Sequence, residues 1–469
     1  MIRRTGAELA IALLERQGIT HIAGIPGGAN LPLYDALRRS RIQHVLARHE
    51  QGAGFIAQGM ARATGRAAVC FATSGPGATN ILTALADAKL DSIPLVCITG
   101  QVALPMIGSD AFQEVDTYGM SVPVTKHNFL ARSADELLDM IPEAFRIASS
   151  GRPGPVLVDI PRDVQTADVE FHRWPAPGAA EPPASAPGNA IEDAVREIEA
   201  AARPVLYLGG GVVHGDAAAL AKALAERCDL PTVMTLLALG VLPWDHPLAL
   251  GMLGMHGAAA TNHALQRCDL LIAVGARFDD RATGNVAAFC PGARVIHLDI
   301  DASEIDKVRR ADCPLAGDVA PTLDALIRRL GRHRRTPWRD EIRALQRAHP
   351  APAARASIER PLDLVRAVAD CAGPDAIVTT DVGQHQMWAA QAYPFRRPRQ
   401  WLTSGGLGTM GFGLPAAIGA ALAAPNRPVV CFSGDGSLLM NLQELAVAAD
   451  LDLDIKLVLM NNHALGLVR

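Results

Sequence analysis

The chain has 469 residues, 49% of them hydrophobic and 20% charged, enough for about three domains with sizeable cores. Its 44 basic and 48 acidic residues give a formal net charge of -4 with no long basic run, which argues against an electrostatic nucleic-acid binder. No run of about eighteen apolar residues occurs, and MIRRTGAELAIALLERQG carries internal charges, which argues against a spanning helix or a secretory signal.

Short apolar runs ending in glycine turns alternate with longer amphipathic stretches. In chain order they are AAVCFATSGPG, PLVCITG, GPVLVDIP, PVLYLGGG, DLLIAVGA, RVIHLDI, AIVTTDVG, PVVCFSGDG and IKLVLMNN. Continuous Val, Ile and Leu runs suit strands buried on both faces of a parallel sheet. Their alternation with helices predicts an α/β protein of doubly wound parallel sheets. Residues 172–190 are Pro/Ala-rich, and 332–360 are basic and then Pro/Ala-rich, so both read as linkers. The predicted domains are then 1–170, 190–332 and 360–469. The eight cysteines form no CxxC pair, and Cys70, Cys97 and Cys431 sit inside apolar runs. They read as small buried hydrophobes in a reducing cytoplasm. An internal echo links residues 50–66 and 69–88 to 408–427 and 430–449, as two similar domains flanking a different one would show.

Gly434-Asp435-Gly436 follows the strand PVVCFS, and Asn461-Asn462 ends the next strand, IKLVLM. Both fall at the carboxyl edge of a parallel sheet, where ligands bind. Gly436 lets the backbone approach a phosphate, and the helix that follows offers free N–H groups. Asp435 and Asn462 are hard oxygen ligands, suited to a Mg²⁺ that keeps diphosphate oxygens among its ligands. The glycine triplet alone would read as a plain turn; the asparagine pair beyond the next strand favours the cofactor.

This spacing resembles the thiamin diphosphate motif, and the rest of the chain extends the match. RHEQGAGFIAQGMARATG, SGPGATN, SDAFQEVD, GRPGPVLVDIP, GMLGMHG, ARFDDR, DVGQHQMW and GGLGTMGFGLPAAIGA occur in order. Together they resemble the large catalytic subunits of the acetolactate (acetohydroxyacid) synthases, from residue 1 to 469. The resemblance implies a pyrimidine-binding first domain, an FAD-binding middle domain and a third domain for diphosphate and Mg²⁺.

Glu50 matches the carboxylate that bonds pyrimidine N1′, with Pro76 beside the cofactor; in isolation Glu50 would read as a surface residue opening a helix. Met410, with Gly408, matches the apolar wedge beneath the folded cofactor, and Gly383, Gln384, His385, Gly434, Asp435, Gly436 and Ser437 its diphosphate contacts. Asp435, Asn462 and the backbone of Ala464 match the metal ligands. Phe112 and Gln113 match an active-site pair, and Arg281 a guanidinium for the second substrate's carboxylate. An ion pair of Arg281 with Asp279 or Asp280 is the alternative. Arg162 stands where many relatives carry Lys. The flavin set implied is Arg152, Gly209, Gly210, Gly211, Thr235, Leu236, Leu253, Gly254, Met255, His256, Gly275, Arg277, Asp279, Arg281, Asp299, Ile300, Gly317 and Asp318.

The implied reaction decarboxylates pyruvate and joins the two-carbon unit to a second pyruvate or to 2-oxobutyrate, opening branched-chain amino-acid synthesis. A homodimer is implied, with Glu50 meeting the GDG loop across the subunit interface, and a small regulatory subunit as partner. Family chains continue past NNHALGLVR, so the expectation is an incomplete third domain, retained FAD and little acetolactate formation. A non-catalytic cofactor-binding subunit is therefore one rival, and another thiamin carboligase or decarboxylase is the second. Glu50 argues against glyoxylate carboligase, whose members carry an apolar residue there, and RFDDR against the FAD-free acetolactate synthases.

Overall fold

The structure is a computed structural model of the chain, described for residues 1–350 and 358–469. The apolar runs form three parallel sheets with intervening helices, as the alternation predicts. The chain divides into two compact units: 1–181 with 377–383 and 402–469, and 182–376 with 384–401.

In the first unit, a six-stranded sheet runs in the order Gln43–Leu46, His21–Gly24, Ala68–Ala72, Leu95–Gln101, Pro155–Pro161, His127–Leu130. All its pairings are parallel. Ala68–Ala72 and Leu95–Gln101 are buried at every position, which is why they read as unbroken apolar runs. The unit's second sheet places Val429–Gly434 between Ile377–Thr380 and Ile455–Met460, again parallel.

The helices Glu50–Thr64 and Gly413–Ala423, which the sequence echo pairs with each other, pack together through reciprocal glycines. A Cβ on Gly59 would lie 2.2 Å from the Ala416 carbonyl oxygen, and one on Gly419 1.9 Å from that of Ile56. Phe55 and Phe412 meet edge-on at 5.3 Å beside this crossing. Helix Glu50–Thr64 begins at the N-cap His49, whose ring accepts the Gln51 N–H, and stops at Gly65, left-handed at φ 74°.

The second unit holds six parallel strands in the order Ala249–Met252, Thr232–Met234, Pro204–Leu208, Leu270–Val274, Arg294–Asp299, Cys313–Ala316. The stretch 332–360, expected as a linker, contains the helix Thr336–Ala348. Trp338, Ile342 and Leu345 recur at one-turn spacing and are buried, and the Trp338 indole N–H donates to the Pro204 carbonyl at 3.0 Å. Its polar residues mask that apolar stripe; the Pro/Ala-rich part, residues 351–357, lies outside the described residues. All eight cysteines are free and seven are buried. Among the described residues, no helix is long and apolar enough to cross a membrane.

Candidate active site

Glu50 is the first residue of its helix and only 9% exposed. Its Oε2 accepts from the Asn80 side-chain amide at 2.9 Å. Oε1 accepts no hydrogen bond among the described residues, and a Cβ on Gly77 would lie 3.3 Å from it. The carboxylate therefore faces the Gly75-Pro76-Gly77 turn that opens helix Pro76–Leu90. Gly75 sits at φ 56°, and a side chain there would strike the Gln113 backbone at 2.7 Å. Glycine thus lets the Phe112-Gln113 loop lie on this turn. Gln113 is itself at φ 59°, and Phe112 is 87% exposed. Glu114 holds the loop by accepting the backbone N–H groups of Gly108 and Ala111. Glu50, Pro76 and Gln113 are thus brought together; Arg162 opens a short helix elsewhere in the unit, exposed.

A second cluster forms at the carboxyl edge of the other sheet. Gly434 pairs with Met460 in parallel register, so Asp435 and Asn461-Asn462 leave adjacent strands side by side. The Asp435 carboxylate makes no hydrogen bond or ion pair among the described residues, and the Asn462 amide oxygen accepts the Ala464 N–H at 3.0 Å. A Cβ on Gly436 would meet Leu465 at 2.7 Å and lie 3.7 Å from Met410 Cε, so Met410 and the Gly434-Asp435-Gly436 turn are neighbours. Ser437 donates to the Val382 carbonyl at 2.8 Å, beside Gly383. Gln384 and the buried His385 open helix Gln384–Ala392 of the second unit.

Buried carboxylates that the sequence reading did not single out brace these loops. Asp381 accepts the N–H groups of Gly411 and Phe412 at 2.6 and 3.1 Å and the Ser433 hydroxyl at 3.0 Å. It thereby joins the Met410 turn to the strand end before Asp435, and burial pushes its carboxyl up to about 6. Asn441 donates to the Gly411 carbonyl at 2.7 Å. The other end of the glycine loop is held by Asp87 and Asp91. Asp91 accepts the Gly405 and Gly406 N–H groups at 2.9 and 2.7 Å, and Asp87 the Ser404 and Thr409 hydroxyls. Arg62 pairs with both carboxylates, at 3.1 and 2.8 Å, all three side chains being nearly inaccessible. Burial, then Asp91, push the Asp87 carboxyl up to about 6 against the pull of Arg62. Glu444 is fully buried; burial pushes it up to about 7, against the backbone N–H groups of Arg48 and His49. Asp381 stands in the motif DVGQHQMW and Arg62 in RHEQGAGFIAQGMARATG, but Asp91 lies in none of the motifs, and the partners of all these residues are distant in sequence.

In the second unit, much of the set expected to bind flavin follows the carboxyl ends of the strands: Gly209–Gly211, Thr235-Leu236, Gly275 and Arg277, Asp299-Ile300 and Gly317-Asp318. Gly209 and Gly211 pack directly on Gly275, where a Cβ would come within 2.1 and 2.7 Å of its backbone. Arg277 is half-buried and makes no hydrogen bond or ion pair among the described residues. Leu253 is buried and Met255 61% exposed, and the Met255 N–H donates to the Arg281 carbonyl at 2.9 Å, joining GMLGMHG to RFDDR. Burial, then Arg281, lowers the His256 imidazole below its ordinary pKa. Asp279 caps its short helix through the Arg281 and Ala282 N–H groups. The Arg281 guanidinium is 71% exposed and only 3.7 Å from Asp280, a loose pair of a kind worth about 0–1 kcal/mol. Its fork stays available for a carboxylate. Arg152 belongs to the first unit, where its Nε donates to Ser92. No group of three or more His, Cys, Asp or Glu among the described residues could hold a metal alone, so Asp435 and Asn462 would need phosphate oxygens beside them.

Comparison with known proteins matches three domain families along the chain. Residues 4–120 match the thiamine pyrophosphate enzyme N-terminal TPP binding domain, 191–326 the central domain, and 381–469 the C-terminal TPP binding domain. The chain is 60% identical over 470 residues to the acetolactate synthase isozyme 1 large subunit of Escherichia coli K12, covering 99% of the chain and 83% of that protein. It is 50% identical to the isozyme 2 large subunit of the same organism, covering 99% and 84%. The acetolactate synthase large subunit of Corynebacterium glutamicum is 48% identical over 484 residues, with 100% and 76% covered.

Proposed function

The chain belongs to the acetolactate synthase large subunits among the thiamine pyrophosphate enzymes, and we propose how its own residues carry the reaction. Two pyruvates give one acetolactate and one CO₂; with 2-oxobutyrate as second substrate the product is acetohydroxybutyrate. Bound thiamin diphosphate supplies a carbon nucleophile and accepts the electron pair released with CO₂. The observation that carries the reading is the Glu50 carboxylate, buried, anchored by Asn80 at one oxygen and without a partner at the other. That oxygen would hold a proton at pyrimidine N1′ of the bound cofactor. Asp435 and Asn462, with the Ala464 carbonyl, would hold Mg²⁺, a reading supported by the Asp435 carboxylate's lack of a partner among the described residues. Met410, beside Gly436, would supply an apolar support for the folded cofactor.

Gln113 and the exposed Phe112 face the substrate, and Arg281 takes the carboxylate of the second keto acid. FAD would be held at the carboxyl edge of the second unit's sheet, where Arg277, without a hydrogen bond or ion pair among the described residues, is one of the groups available to it; the reaction balances without a redox step, so the flavin would be structural or vestigial. A homodimer completes the site. Phe112, Leu439 at 70%, Met440 at 54% and Leu465 at 53% exposure are apolar groups that a second copy would cover. The "large subunit" relatives favour a small regulatory partner, and the free buried cysteines favour the cytoplasm.

The test supplies pyruvate to the protein with thiamin diphosphate, Mg²⁺ and FAD. Acetolactate should form with one CO₂ released per product. Acetaldehyde as sole product would instead assign a decarboxylase. Tight cofactor binding without any pyruvate turnover would assign a cofactor-binding subunit.

A further inference from the structure

Glu444 lies nine positions after Asp435, at the end of the turn Leu442–Glu444, and is fully buried. Its Oε1 accepts the backbone N–H groups of Arg48 and His49, both at 3.0 Å. These are the two residues immediately before Glu50. The Gln51 N–H is taken by the His49 ring, so Glu444 and His49 together take three backbone donors around the start of this helix. The carboxylate enters because residue 52 is glycine: a Cβ there would sit 2.5 Å from Glu444 Oε1. Its second oxygen, Oε2, is buried and has no hydrogen-bond partner among the described residues. Arg48, whose charge acts on Glu444, spends its guanidinium on Asp450 at 2.5 Å and on the Leu46 carbonyl.

A buried carboxylate with one unsatisfied oxygen is a poor stabiliser, because desolvation outweighs what two neutral N–H donors return. Its geometry, however, is selective. It reaches from the segment that starts at Asp435 to the backbone that sets where Glu50 begins. We propose that Glu444 is a positioning residue for the reaction, fixing the first turn of helix Glu50–Thr64 so that the Glu50 carboxylate stands where the cofactor needs it. The proposal rests on the role given above to Glu50. Placement errors of about 1 Å at a catalytic group cost up to about a hundredfold in rate.

The experiment is a double-variant cycle on acetolactate formation at saturating cofactor and pyruvate. Glu444→Asp keeps the charge but withdraws the carboxylate by one methylene, beyond reach of the Arg48 and His49 N–H groups. It should lower kcat by about fivefold or more. Glu444→Gln keeps an acceptor oxygen at the Oε1 position and should recover most of the rate. In a Glu50→Gln background, Glu444→Asp should cost less than about twofold, since Glu444 acts through the group already removed. Equal losses in both backgrounds would show a general structural role and overturn the proposal, as would full kcat in Glu444→Asp. If Glu50→Gln alone leaves kcat unchanged, the role of Glu50 itself falls, an outcome separate from failure of the cycle.

Discussion

Replacing Glu50 with Gln should slow acetolactate formation by at least about tenfold, or roughly 1.4 kcal/mol in the barrier, with the fold intact. The side chain keeps its volume, and an amide oxygen can still accept from Asn80, which holds the native carboxylate at 2.9 Å. What disappears is the charge at the unpartnered oxygen. A carboxylate can hold a proton at pyrimidine N1′ in the form the reaction needs, and a neutral amide cannot. Kinetics at saturating cofactor separate this loss from weaker cofactor binding. Unchanged kcat would remove Glu50 from the role.

Gly419→Ala should destabilise the protein by more than about 3 kcal/mol. On an isolated helix the same change would stabilise by about 1 kcal/mol through propensity alone. Here the new Cβ would lie 1.9 Å from the Ile56 carbonyl oxygen, and the clash is with backbone that cannot rotate away. The helices must separate, loosening the buried cluster of Phe55, Ala84, Phe412 and Ala416. The clash outweighs the propensity gain. Equilibrium unfolding in urea measures the change; a midpoint equal to or above that of the parent would contradict the crossing as described.

The central strands, such as Ala68–Ala72, Leu95–Gln101, Pro204–Leu208 and Leu270–Val274, were legible because they are buried on both faces, so composition alone marks them; Ile455–Met460, read the same way, is a strand with no buried position. The Gly434-Asp435-Gly436 turn and Asn461-Asn462 were legible as neighbours because parallel strands put their carboxyl ends together, and the Gly434–Met460 register places them there. The echo between residues 50–66 and 408–427 marked two helices, but not that they meet through Gly59 and Gly419. Periodicity says which face is apolar and nothing about its partner. Asp381, Asn441, Glu444 and the Arg62 pair with Asp87 and Asp91 stayed hidden for a related reason. Each carboxylate braces backbone N–H groups or a cation tens to hundreds of residues away, and a lone Asp or Glu in a helix reads as solvated surface. Helix Thr336–Ala348 was lost beneath its own arginines, since only Trp338, Ile342 and Leu345 form its buried stripe. The glycines at 209 and 211 matched a ligand loop, and the fold also needs them for contact with Gly275.

The proposed chemistry requires a cofactor held through metal at Asp435 and Asn462. Calorimetric titration of thiamin diphosphate into the protein, with Mg²⁺ and then with chelator, measures this most directly. Binding should be strong with Mg²⁺ and weaken at least about tenfold with chelator, and Asp435→Ala should bind as weakly with the metal as the parent does without it. Equal affinity for thiamin diphosphate in all three titrations would contradict the account.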